Sequence, residues 1–587
     1  MRKQGIIFLL LFIGLWSCRE DVENVTATPQ SFAPALFDDY NAKENIVISS
    51  VTGFVTNEAG EPLIEAQVNL NGSIAETDAF GHFFFIERPM NSEGTTVNIS
   101  KVNFHQQSKL FYPHADAMEH LEIIMPAVKS NDDAPSGLGT GILNLHENII
   151  VEYASNSFLK IDGTPYTGNV HIESSLVKSD TDDFFKKSLG NLQAANAENR
   201  LVGLIPEALL YFAFRNDNGE SLSINENAET KMTIPMDHIT EVSAAWYFAQ
   251  DFGLYTPNTT FSIDPSGKTA SLKLQHNVPI LFGQSYPSEK TTLQLFAANG
   301  IDVLENVEVN IANEVGQNPT GAATLYGGYT NSHGVLEVIM PTDKPATLSV
   351  IDACNNVVYN ETVESGNAIL KLEQVTLATV TGDIYDCMVV PASNTTLAVV
   401  QGNQLQYHYV PNSSFNLMLQ TCNNGLFNIQ GLESSSGDAN AGTAANYDLN
   451  AGAELGDIFT CEMPAINELR IENTGTAETF TYPITSAAIS NTNELTSFRS
   501  TNNPPIDIRI NFTGSSAGDY SAGIQHSINR IWDDESGFRY AGDAEIFIVT
   551  RFGNDNKIIL GEFEGEFTNE LTGQLDNIKG TFNFYEN

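Results

Sequence analysis

Several residue sets in this sequence have types and spacings that could carry chemistry. His238-Ile239-Thr240-Glu241 has the H-x-x-E spacing of a zinc ligand pair. Gly514-Ser515-Ser516-Ala517-Gly518 matches G-x-S-x-G, the turn that exposes a serine nucleophile. Ser175-Leu176-Val177-Lys178 matches S-x-x-K, a serine with a lysine one helical turn away. Acidic runs at Asp132-Asp133, Asp180-Thr181-Asp182-Asp183 and Asp533-Asp534-Glu535 offer oxygens that a calcium ion could use. Trp246, Tyr247, Trp532 and Tyr540 have flat faces suited to stacking on a sugar ring. The 5 cysteines are Cys18, Cys354, Cys387, Cys422 and Cys461.

Each of these chemistries needs a particular scaffold, and the flanking sequence argues against most of them. A nucleophile elbow sits between a buried parallel strand and a helix. Here Asp507, Arg509 and Asn511 alternate with apolar residues just upstream, which marks a half-exposed antiparallel strand. The Gly/Ser run then reads as a loop. The S-x-x-K pair needs a helix, yet Ser175 lies in a strand-like run. His238 follows an alternating strand with no α/β sheet in view, and reads as a surface or edge histidine. None of the acidic runs has EF-hand spacing, so they read as solvated loops, with weak Ca2+ binding the one cofactor left open and no metal site assigned. The absence of C-x-x-C excludes a zinc ribbon or a thioredoxin-type centre. No catalytic residue is assigned, and the chain is expected not to be an enzyme. The four aromatics remain the first residues to test for glycan binding, although aromatics in a β-rich chain mostly serve cores and edges.

The elements around these residues are almost all strands. The chain has 587 residues with 42% hydrophobic content, which implies several cores and three to six domains. Its net charge of −44 repels phosphate backbones and excludes nucleic acid as a partner. Period-2 alternation recurs throughout, and 182–197 is the best helix candidate, weakened by Gly190. The expected fold is all-β: tandem small antiparallel β-sandwiches, some seven-stranded and transthyretin-like or Ig-like, with one short helical insertion near 182–197. Expected units are a β-rich middle domain at 135–288, sandwiches at 48–128, 290–376 and 377–465, and a C-terminal β-sandwich at 466–587.

The N-terminus states an address. Arg2 and Lys3 precede an apolar run from Gly5 to Trp16, too short to span a bilayer, and residues 1–17 read as a signal peptide. The run ends at Leu15-Trp16-Ser17-Cys18, which resembles the looser lipobox of Bacteroidetes lipoproteins. Trp16 departs from the stricter pattern. The resemblance implies acylation of Cys18 and an outer-membrane location. Arg19-Glu20-Asp21 resembles the surface-export signal of the same group, and residues 18–47 read as the lipidated Cys and its tether. The implied partners are the membrane, through the lipid, and an envelope protein or a glycan. No other apolar run approaches the length of a spanning helix.

The segment 48–128 resembles the carboxypeptidase regulatory-like domain, a transthyretin-like sandwich. The resemblance is carried by Gly53, Val55, Asn57, Gly60, Pro62, Leu63, Ala66 and Val68, then Thr77, Asp78, Gly81 and Phe83. It concerns turns and core, and implies a scaffold with no catalysis of its own. A weaker echo recurs at Glu308–Pro341, with Thr330, Asn331 and Gly334 at the turn, and a third copy begins at Val380. Cys354, Cys387, Cys422 and Cys461 are the candidates for disulfides, with the pairing left open; the last three fall in that third copy, so at least one pair is expected there. The function expected is a structural, adhesive or binding scaffold at the cell surface, or a glycan-binding accessory to an uptake system.

Overall fold

A computed structural model describes the chain from residue 45 to residue 585, apart from short internal stretches. Cys18, His238, Glu241, Cys387, Cys461 and the Gly514–Ala517 run lie outside the described residues, as do Asp132, Asp133, Asp182, Asp534 and Glu535. The described chain is nearly all strand, and its strands assemble into successive small sandwiches.

The first sandwich contains β1 (Ile46–Asn57), β2 (Gln67–Leu70), β3 (Ser73–Glu76), β4 (His82–Asn91), β5 (Thr95–Ser100), β6 (Gln107–Phe111) and β7 (Met118–Met125). One sheet has the order β4-β1-β7 and the other β3-β2-β5-β6. Strand β5, Thr-Thr-Val-Asn-Ile-Ser, buries every second residue, so Val97 and Ile99 enter the core with Val51, Val55, Val68 and Leu70. The turn residues do what their chemistry predicts. Thr77 Oγ1 accepts from Ala66 N and donates to Leu63 O at 2.5 Å. Asp78 Oδ1 accepts from Phe80 N and His82 N. Gly81 has φ +75°, and a Cβ there would stand 2.4 Å from Val55 O.

The echo downstream has the same construction. Thr330 Oγ1 accepts from Val307 N and donates to Leu304 O at 2.5 Å, Asn331 Oδ1 accepts from His333 N and Val335 N, and Gly334 has φ +69°. Topology repeats as well. In the first sandwich β1 pairs antiparallel with β4 and parallel with β7. In the second, Ile280–Phe296 pairs antiparallel with Val335–Pro341 and parallel with Ala368–Lys371. In the third, Leu377–Tyr385 pairs antiparallel with Ser414–Gln420 and parallel with Ala453–Phe459.

A different unit separates the first two copies. Its sheets enclose a core containing Phe158, Phe214, Tyr247 and Phe282. The expected helical insertion contracts to one turn, α1 (Phe184–Lys187). Gly190 at φ +60° and Leu192 at φ +59° turn the backbone out of helical space, and Gln193–Ala195 then joins a sheet. Strand Ile280–Phe296 runs through the next boundary. Its first half pairs with Leu201–Arg215 in the middle unit and its second half lies in the second sandwich, so one continuous strand serves both. The C-terminal region holds an eight-stranded and a four-stranded sheet, and the long paired strands Ile558–Asn569 and Leu575–Tyr585 carry the buried Phe563, Phe567 and Phe582.

Candidate functional site

The first sandwich is a hub. Strands β6 and β7 and the start of β4 meet the middle unit, the second sandwich and the third, and the unusual side chains of the molecule gather at those joints.

At the middle-unit joint, Lys109 on β6 is only 4% exposed in a strand that buries all 5 of its residues. Its Nζ donates to Phe185 O at 2.5 Å and Ser188 O at 2.6 Å at the end of α1, where Phe185 O also accepts from Ser188 Oγ at 2.8 Å. The ring of Phe185 lies 5.0 Å from the same nitrogen. Burial pushes the amine down to about 7. Around it, Gln107 Nε2 donates to Tyr211 OH, Tyr112 OH donates to Gln193 Oε1, and His105 stacks on Tyr211 at 5.1 Å. Leu110 joins Ala195, Ala249 and Leu254 in a small apolar cluster across the joint.

At the second-sandwich joint, His114 bridges two carboxylates, Glu119 of the first sandwich at 3.5 Å and Glu337 of the second at 3.4 Å. Hydrogen bonds to both raise the imidazole to about 9. Asn331 of the second sandwich donates to Glu119 Oε1 at 3.1 Å, so the repeated turn motif reaches back to the first copy. Nearby, Lys186 on α1 pairs with Glu122 at 2.7 Å and Glu308 at 3.7 Å. Burial opposes its charge, but the two carboxylates win and lift the ammonium above its usual value.

At the third-sandwich joint, rings face rings. Tyr407 on Gln404–Val410 lies 5.0 Å from Phe54 and 5.4 Å from His82, and Tyr409 lies 5.1 Å from Phe84. Burial pushes His82 down to about 3 and His408 to about 4. His120 Nε2 stands 3.0 Å from Glu305 Oε1. Burial would raise Glu305, but His120 and the neighbouring histidines hold it below its usual range. A cleft of about 230 Å³ opens here, with Phe54, Glu122, Lys186, Tyr329 and Tyr407 in its walls.

The second and third sandwiches are joined covalently by Cys354–Cys422. Beside the bridge, Gln420 Nε2 donates to Asp352 Oδ2 at 2.6 Å and Gln420 Oε1 accepts from Ala353 N. Cys354 and Cys422, two of the four candidate cysteines, are thus paired across neighbouring sandwiches. The sequence left the pairing of Cys354 open, and the tight turn Asp352–Asn356 carries it to the neighbouring unit.

The glycan-stacking assignment is also corrected for two residues. Trp246 and Tyr247 are 5% and 1% exposed, because strand Ala244–Ala249 is covered on both faces. Trp246 Nε1 donates to Gly283 O and packs with Tyr255 and Leu281, while Tyr247 points into the opposite core and donates to Lys273 O. Trp532 and Tyr540 sit on strands that pair Ile531 with Tyr540, and their side chains lie outside the described residues. Ser175 and Lys178 share one extended strand, whose pleat sends residues three apart to opposite faces. Ser175 Oγ donates to Ala127 O and lies 3.1 Å from His105 Nε2. Among the described residues no cluster of three or more His, Cys, Asp or Glu is arranged to hold a metal ion. No described helix is long and apolar enough to cross a membrane.

Sequence reasoning missed Lys109, His114, His120, Glu305 and Tyr407. One signal was available for Lys109: it stands directly before the apolar Leu110-Phe111-Tyr112 in a chain with only 28 basic residues.

No family model matches the chain, and no curated protein matches it. Among solved structures it is similar to the shaft pilin SpaA of Lactobacillus rhamnosus GG, at 12% identity and TM-score 0.17 over 30% of this chain and 98% of the pilin. It is also similar to GBS52, a minor pilin of Streptococcus agalactiae, at 10% identity and TM-score 0.15, over 30% of this chain and 94% of that one. A streptococcal ancillary pilin aligns at 10% identity and TM-score 0.14, over 43% of this chain and 82% of its own. Likenesses this slight carry no argument for function; the all-β tandem architecture stands on the strands themselves.

Proposed function

We propose that this chain is a non-enzymatic lipoprotein of the outer membrane, anchored through Cys18 and facing outward, where its sandwiches form a structural or adhesive scaffold. The observation that carries the scaffold reading is how the units are joined. A strand shared between two of them, a disulfide between the next two, and a buried lysine cap make joints suited to bearing load. The repeated Thr–Asx–Gly turns support reading the first and second copies as regulatory-like domains. The anchor is read from sequence alone. Metabolic labelling with a palmitate analogue tests it: label is expected on the wild type and lost in Cys18→Ala. Protease shaving of intact cells tests the outward face, and a chain left uncut while lysed cells lose it would overturn that half.

A second reading is a glycan-binding lipoprotein beside an uptake system. With Trp246 and Tyr247 buried, what supports it is the cleft, whose volume suits one sugar ring and whose wall includes Phe54 and Tyr407. A glycan array with the wild type and Tyr407→Ala separates the two readings.

A further inference from the structure

The third sandwich follows the second in sequence, yet it folds back to touch the first. The face between them is made of rings: Phe54, His82 and Phe84 on one side, Tyr407 and Tyr409 on the other. The polar contact through His82 is long, with Thr396 Oγ1 3.4 Å from Nδ1. We propose that this face is a releasable joint: in acid the third sandwich swings off the first about the Cys354–Cys422 bridge, opening the cleft while each sandwich stays folded.

The geometry places two imidazoles where a proton is unwelcome. His82 is buried, with Nε2 2.7 Å from Thr52 Oγ1 on β1 and its ring stacked on Tyr407. The charged group acting on it is His120 of β7, which repels a second cation. Asp78 and Glu122 act on Tyr407 beyond it. His408, on the strand that carries Tyr407, is 8% exposed and its Nε2 has no hydrogen-bond partner. Glu305 attracts a charge there and His120 repels it. His120 and His333 in turn act on Glu305.

The sign follows from linkage. Both imidazoles have their docked-state pKa pushed down by burial, to about 3 and about 4, from an ordinary 6.5. Docking is therefore at full strength above pH 6.5 and is lost as pH falls from there toward 4. At pH 4.5 the docked-to-open ratio drops by about a hundredfold for each histidine. His105 at the middle-unit joint is also held down, to about 4, by burial first and then by the nearby Arg215 charge. That joint keeps the Lys109 cap and the Leu110 cluster, so it stays closed. On the other side the bridge and the Gln420–Asp352 bonds retain the third sandwich as a hinged lid.

Hydroxyl-radical footprinting of the full mature chain, read by mass spectrometry, tests this. From pH 7.5 to 4.5, labelling of the half-buried Phe54, Tyr407 and Tyr409 is expected to rise about two- to threefold, while core Phe83 and Phe158 stay protected. His82→Gln keeps hydrogen-bonding groups toward Thr52 and Thr396 but takes no proton. Combined with His408→Gln it is expected to abolish the rise. Flat labelling in the wild type, a rise shared by Phe83 and Phe158, or an unchanged rise in the double variant would each overturn the proposal. Solution scattering at pH 4.5 locates the hinge: reductant is expected to expand the chain further, and no further expansion removes the bridge as the pivot.

Discussion

The first sandwich makes two joints of opposite kinds. Toward the middle unit it offers a buried lysine amine to backbone carbonyls. Toward the third sandwich it offers rings to rings. A backbone carbonyl cannot leave a buried site without losing its partner, so the first joint forms in one geometry or not at all. Rings have no such obligation; their contact depends on excluded water and on the imidazoles staying neutral. One small domain can therefore hold one neighbour permanently and another conditionally, with the choice made by which of its edges carries polar side chains.

The largest expected effect breaks the first joint. Lys109→Met keeps the stem's volume but takes the lysine donor from Ser188 O, and leaves Phe185 O with only its bonds from Ser188. Relief of the buried charge offsets part of that, and a net loss of about 3 kcal/mol is expected. Urea unfolding followed by hydrogen exchange in β6 and α1 measures it. A loss under about 0.5 kcal/mol would mean that the carbonyls find water, and the two joints would then differ less than the geometry says.

Next is the ring joint. Tyr407→Ala removes the contacts to Phe54 and His82 and is expected to weaken docking by about 2 kcal/mol, leaving β6 and α1 untouched. Footprinting of Phe54 at pH 7.5 reads the change. Equal disturbance at both joints would sink the idea that they act separately.

The joints also mark what could be read from sequence. Turns were legible because each needs specific chemistry in a short window: Thr77, Asp78 and Gly81 form one hydrogen-bonded unit spanning few residues. Strands were legible from their two-residue period, and the repeat of Thr330, Asn331 and Gly334 was legible for the same reason as the first turn. Joints were not legible, because their partners lie far apart in the chain. Tyr407 is 353 positions from Phe54, and its ring looks in sequence like any core aromatic. Trp246 and Tyr247, kept as stacking candidates, instead follow the general rule for aromatics in a β-rich chain: as strand neighbours they point to opposite faces, and both faces are covered. The partner of Cys422 was open in the sequence as the joints were, since it lies 68 positions away in the preceding sandwich.

The smallest effect sharpens the comparison by adding a third joint of opposite sign. His114 between Glu119 and Glu337 has its pKa raised to about 9 by those hydrogen bonds, above the ordinary 6.5. The stability it contributes is fully present below pH 6.5 and is lost as pH rises through 9. The side chain is 29% exposed, so solvent screening reduces the contribution to about 1–2 kcal/mol. Urea midpoints between pH 6 and 10 are expected to fall accordingly in the wild type and to stay level in His114→Gln. The same sandwich would then lose its hold on the third sandwich in acid and on the second in base. Its strongest three-way grip falls near neutral pH, where both imidazoles of the ring joint are neutral and His114 is still charged.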